Sequence, residues 1–304
     1  MMKPNFICLV GLPNSGKTEF AYRYREEHED VHVFSSDALR EEMFGDVNDQ
    51  THNTELFQEL HKRMKECLSE GHNVIFDATN LSSRKRKAFL DTLKKIDCRR
   101  ECHVIATRYE VCLARNKVRA RHIPEEVMYK MLTKFEMPYY HEGWDLIMVH
   151  YNDVNEQIDL QTWLQDMKNF DQHNAHHTLS LGDHCESAKK YLEEHYRCDI
   201  SLLYAALLHD CGKPLTGKFY DYSGNPSEQM HFYGHEHASS YLSLFFDLPE
   251  NVNRIYMSFL ISNHMRPFLA WSKSKKSFEK DKKLFGDRII KDIKMLHDAD
   301  LAAH

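Results

Sequence analysis

Residues 11 to 18 read Gly-Leu-Pro-Asn-Ser-Gly-Lys-Thr, directly after the apolar run Asn5 to Val10 and directly before a helical stretch. The spacing G-x-x-x-x-G-K-[ST] in a strand, loop and helix leaves few architectures open, because each residue type answers one demand of a bound polyphosphate. Gly11 and Gly16 let the backbone N–H groups around Asn14 and Ser15 turn inward on phosphate oxygens. The helix N-terminus that follows favours negative charge. Lys17 reaches the β and γ phosphates, and the Thr18 hydroxyl ligates Mg²⁺. ATP with Mg²⁺ is the implied cofactor, and an ordinary glycine turn is the bland alternative.

The rest of the first half suits such a loop. Apolar strands at Asn5 to Val10, Val31 to Phe34, Asn73 to Asp77, His103 to Thr107 and Asp145 to His150 alternate with helical segments. One of these, Glu55 to Glu70, repeats Leu56, Leu60, Met64, Cys67 and Leu68 at the helical period and is stopped by Gly71. This is the pattern of a parallel sheet with helices on both faces. From Tyr151 to His173 the composition turns to Asn, Asp and Gln around one apolar patch at Trp163 and Leu164, as in a linker carrying one short helix. Beyond it only helical segments are evident, such as Cys185 to Tyr196 and Ile200 to His209. The expectation is an α/β domain over 1–165, its linker starting near 151, and an all-α domain over 172–304.

Composition narrows the function. At 304 residues there is room for two domains. The net charge of -6 argues against a broad coating of nucleic acid, which needs many Lys and Arg on phosphates, although not against gripping one strand end. Eight cysteines without a CxxC pair indicate reduced thiols and no zinc ribbon. No apolar run is long enough to cross a bilayer and no leader pattern opens the chain, so a cytoplasmic protein is expected. Histidine is over-represented, with 21 residues, many of them in the last 130 or so, which invites a metal reading.

Further candidates follow the loop in order. Asp37, in Ser35-Ser-Asp-Ala-Leu-Arg40, stands after the second strand, where a carboxylate can take a proton from an acceptor hydroxyl or simply cap a helix. Asp77 ends the third strand and either organises Mg²⁺ or caps the next helix. Arg115, Arg119 and Arg121 precede Pro124 on a segment able to serve as a lid. A solvated basic face is the competing reading, for Arg121 and for Arg84 to Lys87 especially. GLPNSGKT, SSDALR, DATNLSSRKR and ARNKVRARHIP together resemble phage-type polynucleotide 5′-kinases and the related zeta-toxin group, over roughly residues 5 to 150. The resemblance implies a P-loop kinase domain in which Asp37 is the general base, Arg40 contacts the acceptor's phosphate and Arg119 is the lid arginine. The family's acidic residue before Thr79-Asn80 is Ala78 here, with Asp77 one place earlier.

In the second half, the apolar helix from Leu202 ends in His209-Asp210, with Gly212-Lys213-Pro214 as its exit. Adjacent His and Asp at a helix end can bind one metal ion or one each of two. The pattern resembles the HD phosphohydrolase superfamily, which implies an HD domain with ligands in the order His184, His209-Asp210, His235, His264 and Asp300. His177 is the alternative to His184, and Asp298 to Asp300. Such a set suits Mn²⁺, Fe²⁺, Ni²⁺ or Co²⁺. The two resemblances together imply an enzyme that heals RNA or DNA ends: it phosphorylates a 5′-hydroxyl and clears a 3′-phosphate or 2′,3′-cyclic phosphate for a ligase. A small-molecule kinase fused to a nucleotidase-like domain, and an ATP sensor with an inactive second domain, are the other readings.

Overall fold

The computed structural model describes residues 3–152, 157–174 and 178–303. The chain divides into two units, Met1–Met128 with Pro138–Asp153 and Tyr129–Met137 with Val154–His304.

The first unit holds five strands, β1 (Asn5–Val10), β2 (Val31–Ser35), β3 (Asn73–Asp77), β4 (Arg99–Ala106) and β5 (Leu146–Tyr151), in the order β2-β3-β1-β4-β5. Every pairing is parallel. The helices are α1 (Lys17–Glu27), α2 (Ser36–Phe44), α3 (Asn53–Ser69), α4 (Ser83–Thr92), α5 (Tyr109–Val118) and α6 (Glu125–Leu132), the last of which runs past Met128 into the second unit. Alternation along β1 explains the layering. Ile7 and Leu9 meet Phe20 and Ala21 of α1, with Ile75 and Ile105 beside them. Phe6, on the other side of the strand, meets Phe89 of α4 edge-on at 5.3 Å, and Phe76 and Phe57 of α3 extend that layer. Each such side chain, fully buried, contributes about 1.5–3 kcal/mol. Gly71, at φ 98, closes the end of α3.

β4 begins four residues before the apolar run that marks it in the sequence. Its polar start, Arg99-Arg100-Glu101, is drawn into the sheet by register with Asn5, Phe6 and Ile7 of β1. β5 is displaced by one residue relative to its expected span.

The second unit is mostly helical: α7 (Leu160–Met167), α8 (Leu181–His195), α9 (Ile200–Leu208), α10 (Lys213–Thr216), α11 (His235–Leu242), α12 (Arg254–Asn263) and α13 (Lys275–Ala302). Asp199, Asn253 and Ser274 cap α9, α12 and α13 by accepting from backbone N–H groups. Leu202, Ala205 and Leu208 of α9, Cys185, Ala188 and Leu192 of α8, and Ile293, Leu296 and Ala299 of α13 are fully buried. α7 lies in this unit, its Trp163 set edge-on to Phe246.

The expectation of an all-α second half needs correction. Lys218–Tyr220 (β6) and Pro226–His231 (β7) form an antiparallel hairpin, turned by Asp221 and Asn225. Its residues are largely exposed, so no hydrophobic alternation marks it in the sequence.

Two candidate sites

The first site grows from the end of β1. Gly16, at φ 93, starts α1 in the left-handed conformation, which a side chain would strain. A Cβ there would also fall 2.0 Å from the Asn152 amide, which bonds the Ser15 carbonyl. Gly11 donates to the Thr79 carbonyl (3.1 Å), joining the loop to the residues after β3. Lys17 is buried inside the loop and donates to the Leu12 carbonyl (2.7 Å) and the Ser15 hydroxyl (3.4 Å). Burial holds its pKa below the usual lysine range, against the pull of Asp77. The Thr18 hydroxyl donates to Asp77 Oδ2 at 2.7 Å. Burial raises the Asp77 pKa, while Thr18 and Lys17 oppose the rise. The carboxylate that ends β3 therefore belongs to the loop's hydroxyl, the arrangement needed to organise Mg²⁺ from both.

Arginines from the last turn of α5 and from just beyond it come to the same loop. Arg119 donates to the Asn14 side chain (2.5 Å), and Arg115 to the Asn14 carbonyl (3.3 Å). Asn116, buried and unnoticed in the sequence, takes a hydrogen bond from the Asn14 amide and ties both groups of Ile123. Arg121 is not a merely solvated cation: it donates to Asp37 Oδ2 (3.0 Å), Asn48 Oδ1 and the Val47 carbonyl. Asp37 stands exposed in the first turn of α2. Arg40 is 3% exposed and donates to the Asp49 carbonyl and to Asn53 Oδ1, while its Nε is buried without a hydrogen-bond partner.

The second site collects side chains from five helices. His184 lies in α8, His209 and Asp210 at the end of α9, His235 at the start of α11, His264 just past α12 and Asp300 in α13. His184, His209, Asp210 and Asp300 each offer an atom within 4.8 Å of the others, as do Asp210, His235 and His264. Asp210 is common to both groups. Its Oδ2 lies 3.4 Å from His184 Nε2 and 3.2 Å from His209 Nε2, and its Oδ1 lies 3.2 Å from His235 Nε2. Asp300 Oδ1 lies 3.2 and 3.4 Å from the first two rings. Asp298, exposed two residues earlier, instead accepts from the Tyr196 hydroxyl. His177 lies outside the described residues.

The ring orientations test the fit to metal ions. Each Nδ1–H donates to a main-chain carbonyl: His184 to Ala303, His209 to Ala206, His235 to Phe232 and His264 to Ile261, all at 2.7–2.8 Å. That fixes Nε2 as the nitrogen turned inward. Yet the Nε2 atoms of His184 and His209 stand 3.1 Å apart, and those of His235 and His264 3.2 Å apart. At that distance a proton or a metal ion lies between the two nitrogens of each pair. Burial works against a charged His209, but Asp210 and Asp300 outweigh it and push its pKa up to about 10. Burial, with His209 and His235 nearby, pushes His264 down to about 4, so its Nε2 is a lone pair at neutral pH. Asp210 Oδ1, on that side, is buried with no hydrogen-bond partner. Imidazole nitrogens, bridging carboxylate and an orphaned oxygen fit divalent transition ions. Lys213, three residues on, donates to Asp210 Oδ2 (2.7 Å) and to Gln172. The sequence offered Lys213 only as part of the helix exit.

Comparison with known proteins bears on residues 6–138, which match the family model described as an AAA domain. The L-seryl-tRNA(Sec) kinase of Methanococcus maripaludis is 28% identical over 165 residues. The first unit has a P-loop kinase fold. The match takes in 53% of this chain and spans 64% of the length of that relative. A chain of the Pnkp1/Rnl/Hen1 RNA repair complex is similar at 22% identity, with a TM-score of 0.39 over 44% of each chain. A gluconokinase from Sinorhizobium meliloti is similar at 15% identity, with a TM-score of 0.36 over 51% of this chain and 86% of its own. No helix among the described residues is long and apolar enough to cross a membrane.

Proposed function

We propose that the chain heals nucleic-acid ends, joining an ATP-dependent polynucleotide 5′-hydroxyl kinase to an HD-type phosphohydrolase of 3′-phosphate or 2′,3′-cyclic phosphate ends. The observation that carries this reading is Asp210, a buried carboxylate whose two oxygens serve two separate pairs of histidines in a chain that also carries a complete phosphate loop.

In the kinase reaction Lys17 and the loop's N–H groups hold the β and γ phosphates of ATP, and Thr18 with Asp77 organises Mg²⁺. Asp37 accepts the proton of the 5′-hydroxyl. Arg121 occupies its Oδ2 and so fixes the carboxylate while Oδ1 takes the proton. Arg119, anchored on Asn14 at the edge of the loop, brings a planar guanidinium to the transferred phosphoryl group. In the second unit His184, His209, Asp210 and Asp300 would hold one ion, and Asp210, His235 and His264 a second. Mn²⁺, Fe²⁺, Co²⁺ or Ni²⁺ bound there would supply Lewis acidity and lower the pKa of a water. Lys213 keeps an ammonium on Asp210 and offsets part of the carboxylate's charge where a phosphate dianion enters. A 5′-phosphate and a cleared 3′ end are what a ligase consumes.

Labelled ATP and 5′-hydroxyl RNA and DNA oligomers, with separate oligomers ending in 3′-phosphate or cyclic phosphate, test both halves. Label on the oligomer and metal-dependent phosphate release or ring opening are expected. Transfer to nucleosides or sugars and never to oligomers overturns the proposal.

A further inference from the structure

The β6–β7 hairpin holds neither ion nor phosphate in that reading, yet the exposed rings of the second unit collect on it. Of the seven exposed large hydrophobic side chains among that unit's described residues, four lie here: Phe219 (44%), Tyr220 (53%), Tyr222 (87%) and Tyr233 (45%). All four are aromatic. Tyr222 and Tyr233 meet edge-on at 5.5 Å, and His231 lies parallel to Tyr233 with centroids 5.4 Å apart. The three residues of β6 are all exposed, so the rings are not the hairpin's own core.

The hairpin's base is joined to the His/Asp cluster. Phe232, the first residue after β7, accepts the Nδ1–H of His235 on its carbonyl (2.8 Å). Its ring lies 5.2 Å from Lys213 Nζ, the ammonium that bonds Asp210. One residue therefore orients a histidine of the cluster, steadies the cation on Asp210 and anchors the aromatic strand.

The chemistry of the partner follows. From Lys218 to Tyr233 the only formal charges are Lys218, Asp221 and Glu228, and Lys218 Nζ already sits over the Tyr129 ring at 4.0 Å. Such a surface does not grip a phosphodiester backbone or an acidic membrane, which demand several cations. It suits flat π-systems, and every nucleobase presents one whatever its sequence.

We propose that this hairpin is a stacking platform: the rings of Phe219, Tyr220, Tyr222 and Tyr233 take the unpaired bases next to a nucleic-acid end whose terminal phosphate lies in the His/Asp cluster. The proposal rests on the phosphohydrolase reading of that cluster and adds the surface that holds the bases of its substrate.

The test compares the metal-loaded full chain with its Tyr220→Ala/Tyr222→Ala variant on an oligonucleotide 3′-phosphate and on p-nitrophenyl phosphate. With stacking lost at about tenfold per ring, the ratio of kcat/KM for oligonucleotide over small ester falls by roughly 100-fold, through KM. Tyr222→Trp retains the ratio, as a purely structural role would not require. Bound metal, measured in each variant, reports intact folding. An unchanged ratio in an active enzyme overturns the platform and leaves the phosphohydrolase reading standing. If the wild type releases no phosphate from any end, while the double substitution weakens binding of a fluorescent oligonucleotide, the activity reading falls and the platform holds. Sedimentation that shows a wild-type dimer dispersed by the substitutions, with the ratio unchanged, assigns the rings to self-association and overturns the proposal.

Discussion

The phosphate loop uses eight consecutive residues, and its chemistry lies largely in backbone N–H groups and one lysine. The His/Asp cluster takes six side chains from five helices, beginning in α8 and ending in α13. The loop is right wherever a strand, a tight turn and a helix succeed one another, so its accuracy is local. The cluster is right only when five helices are docked, and each histidine's orientation depends on a main-chain carbonyl, that of His184 on one 119 residues away. Local sites survive distant damage, whereas assembled ones register it.

The largest expected effect separates the two directly. Asp210→Ala removes the carboxylate common to both histidine pairs. Bound metal and phosphate release should fall by more than about 100-fold, beyond the loss typical of groups that only orient ligands, with kinase turnover retained. Metal analysis beside both assays decides it, with Asp300→Ala expected to follow Asp210→Ala and Asp298→Ala to keep metal and activity. Metal loss in Asp298→Ala but not in Asp300→Ala would reverse the assignment in α13.

Within the kinase unit, Asp37→Ala should lower 5′ phosphorylation by about 10²–10⁴-fold at saturating oligomer, the range for a lost general base. Arg119→Lys should act less, lowering turnover roughly tenfold, about 1.4 kcal/mol, with ATP affinity nearly intact, since lysine keeps the charge and loses the planar fork. Turnover unaffected by Arg119→Lys would return Arg119 to the solvated surface.

The smallest effect concerns stability. His61 lies against Phe89 in α3's layer, and burial pushes its pKa down to about 4. The unfolded chain binds that proton near pH 6.5 and the folded one only near 4. The stability that the neutral ring allows is therefore present above 6.5 and lost as pH falls through that window. His61→Phe should flatten the loss of melting temperature between pH 6.5 and 4 for the first unit. An equal slope in both proteins would place the proton elsewhere.

Legibility in the sequence tracks the same contrast. The loop, four of five strands to within a residue, and α3 could all be read because period and motif are local. Asp77 was open to two readings until the Thr18 bond gave it a partner. Arg121 looked like a solvated cation, since nothing in the spacing of residues 37 and 121 says that they meet. Arg40 carries no mark of its burial, which comes from Asp49 and Asn53 closing over it. Family order drew the six His and Asp residues together. Lys213 escaped notice, although its place three residues after Asp210, on the next turn, was the available signal.

One carbonyl has a consequence in time. The His184 ring is set by Ala303 and faces Asp300, so its half of the cluster does not exist on a growing chain until Ala303 has emerged. The sheet that carries residues 11 to 18 is complete once Tyr151 has been added. With domains folding as they emerge, the protein acquires its phosphate loop well before its His/Asp cluster.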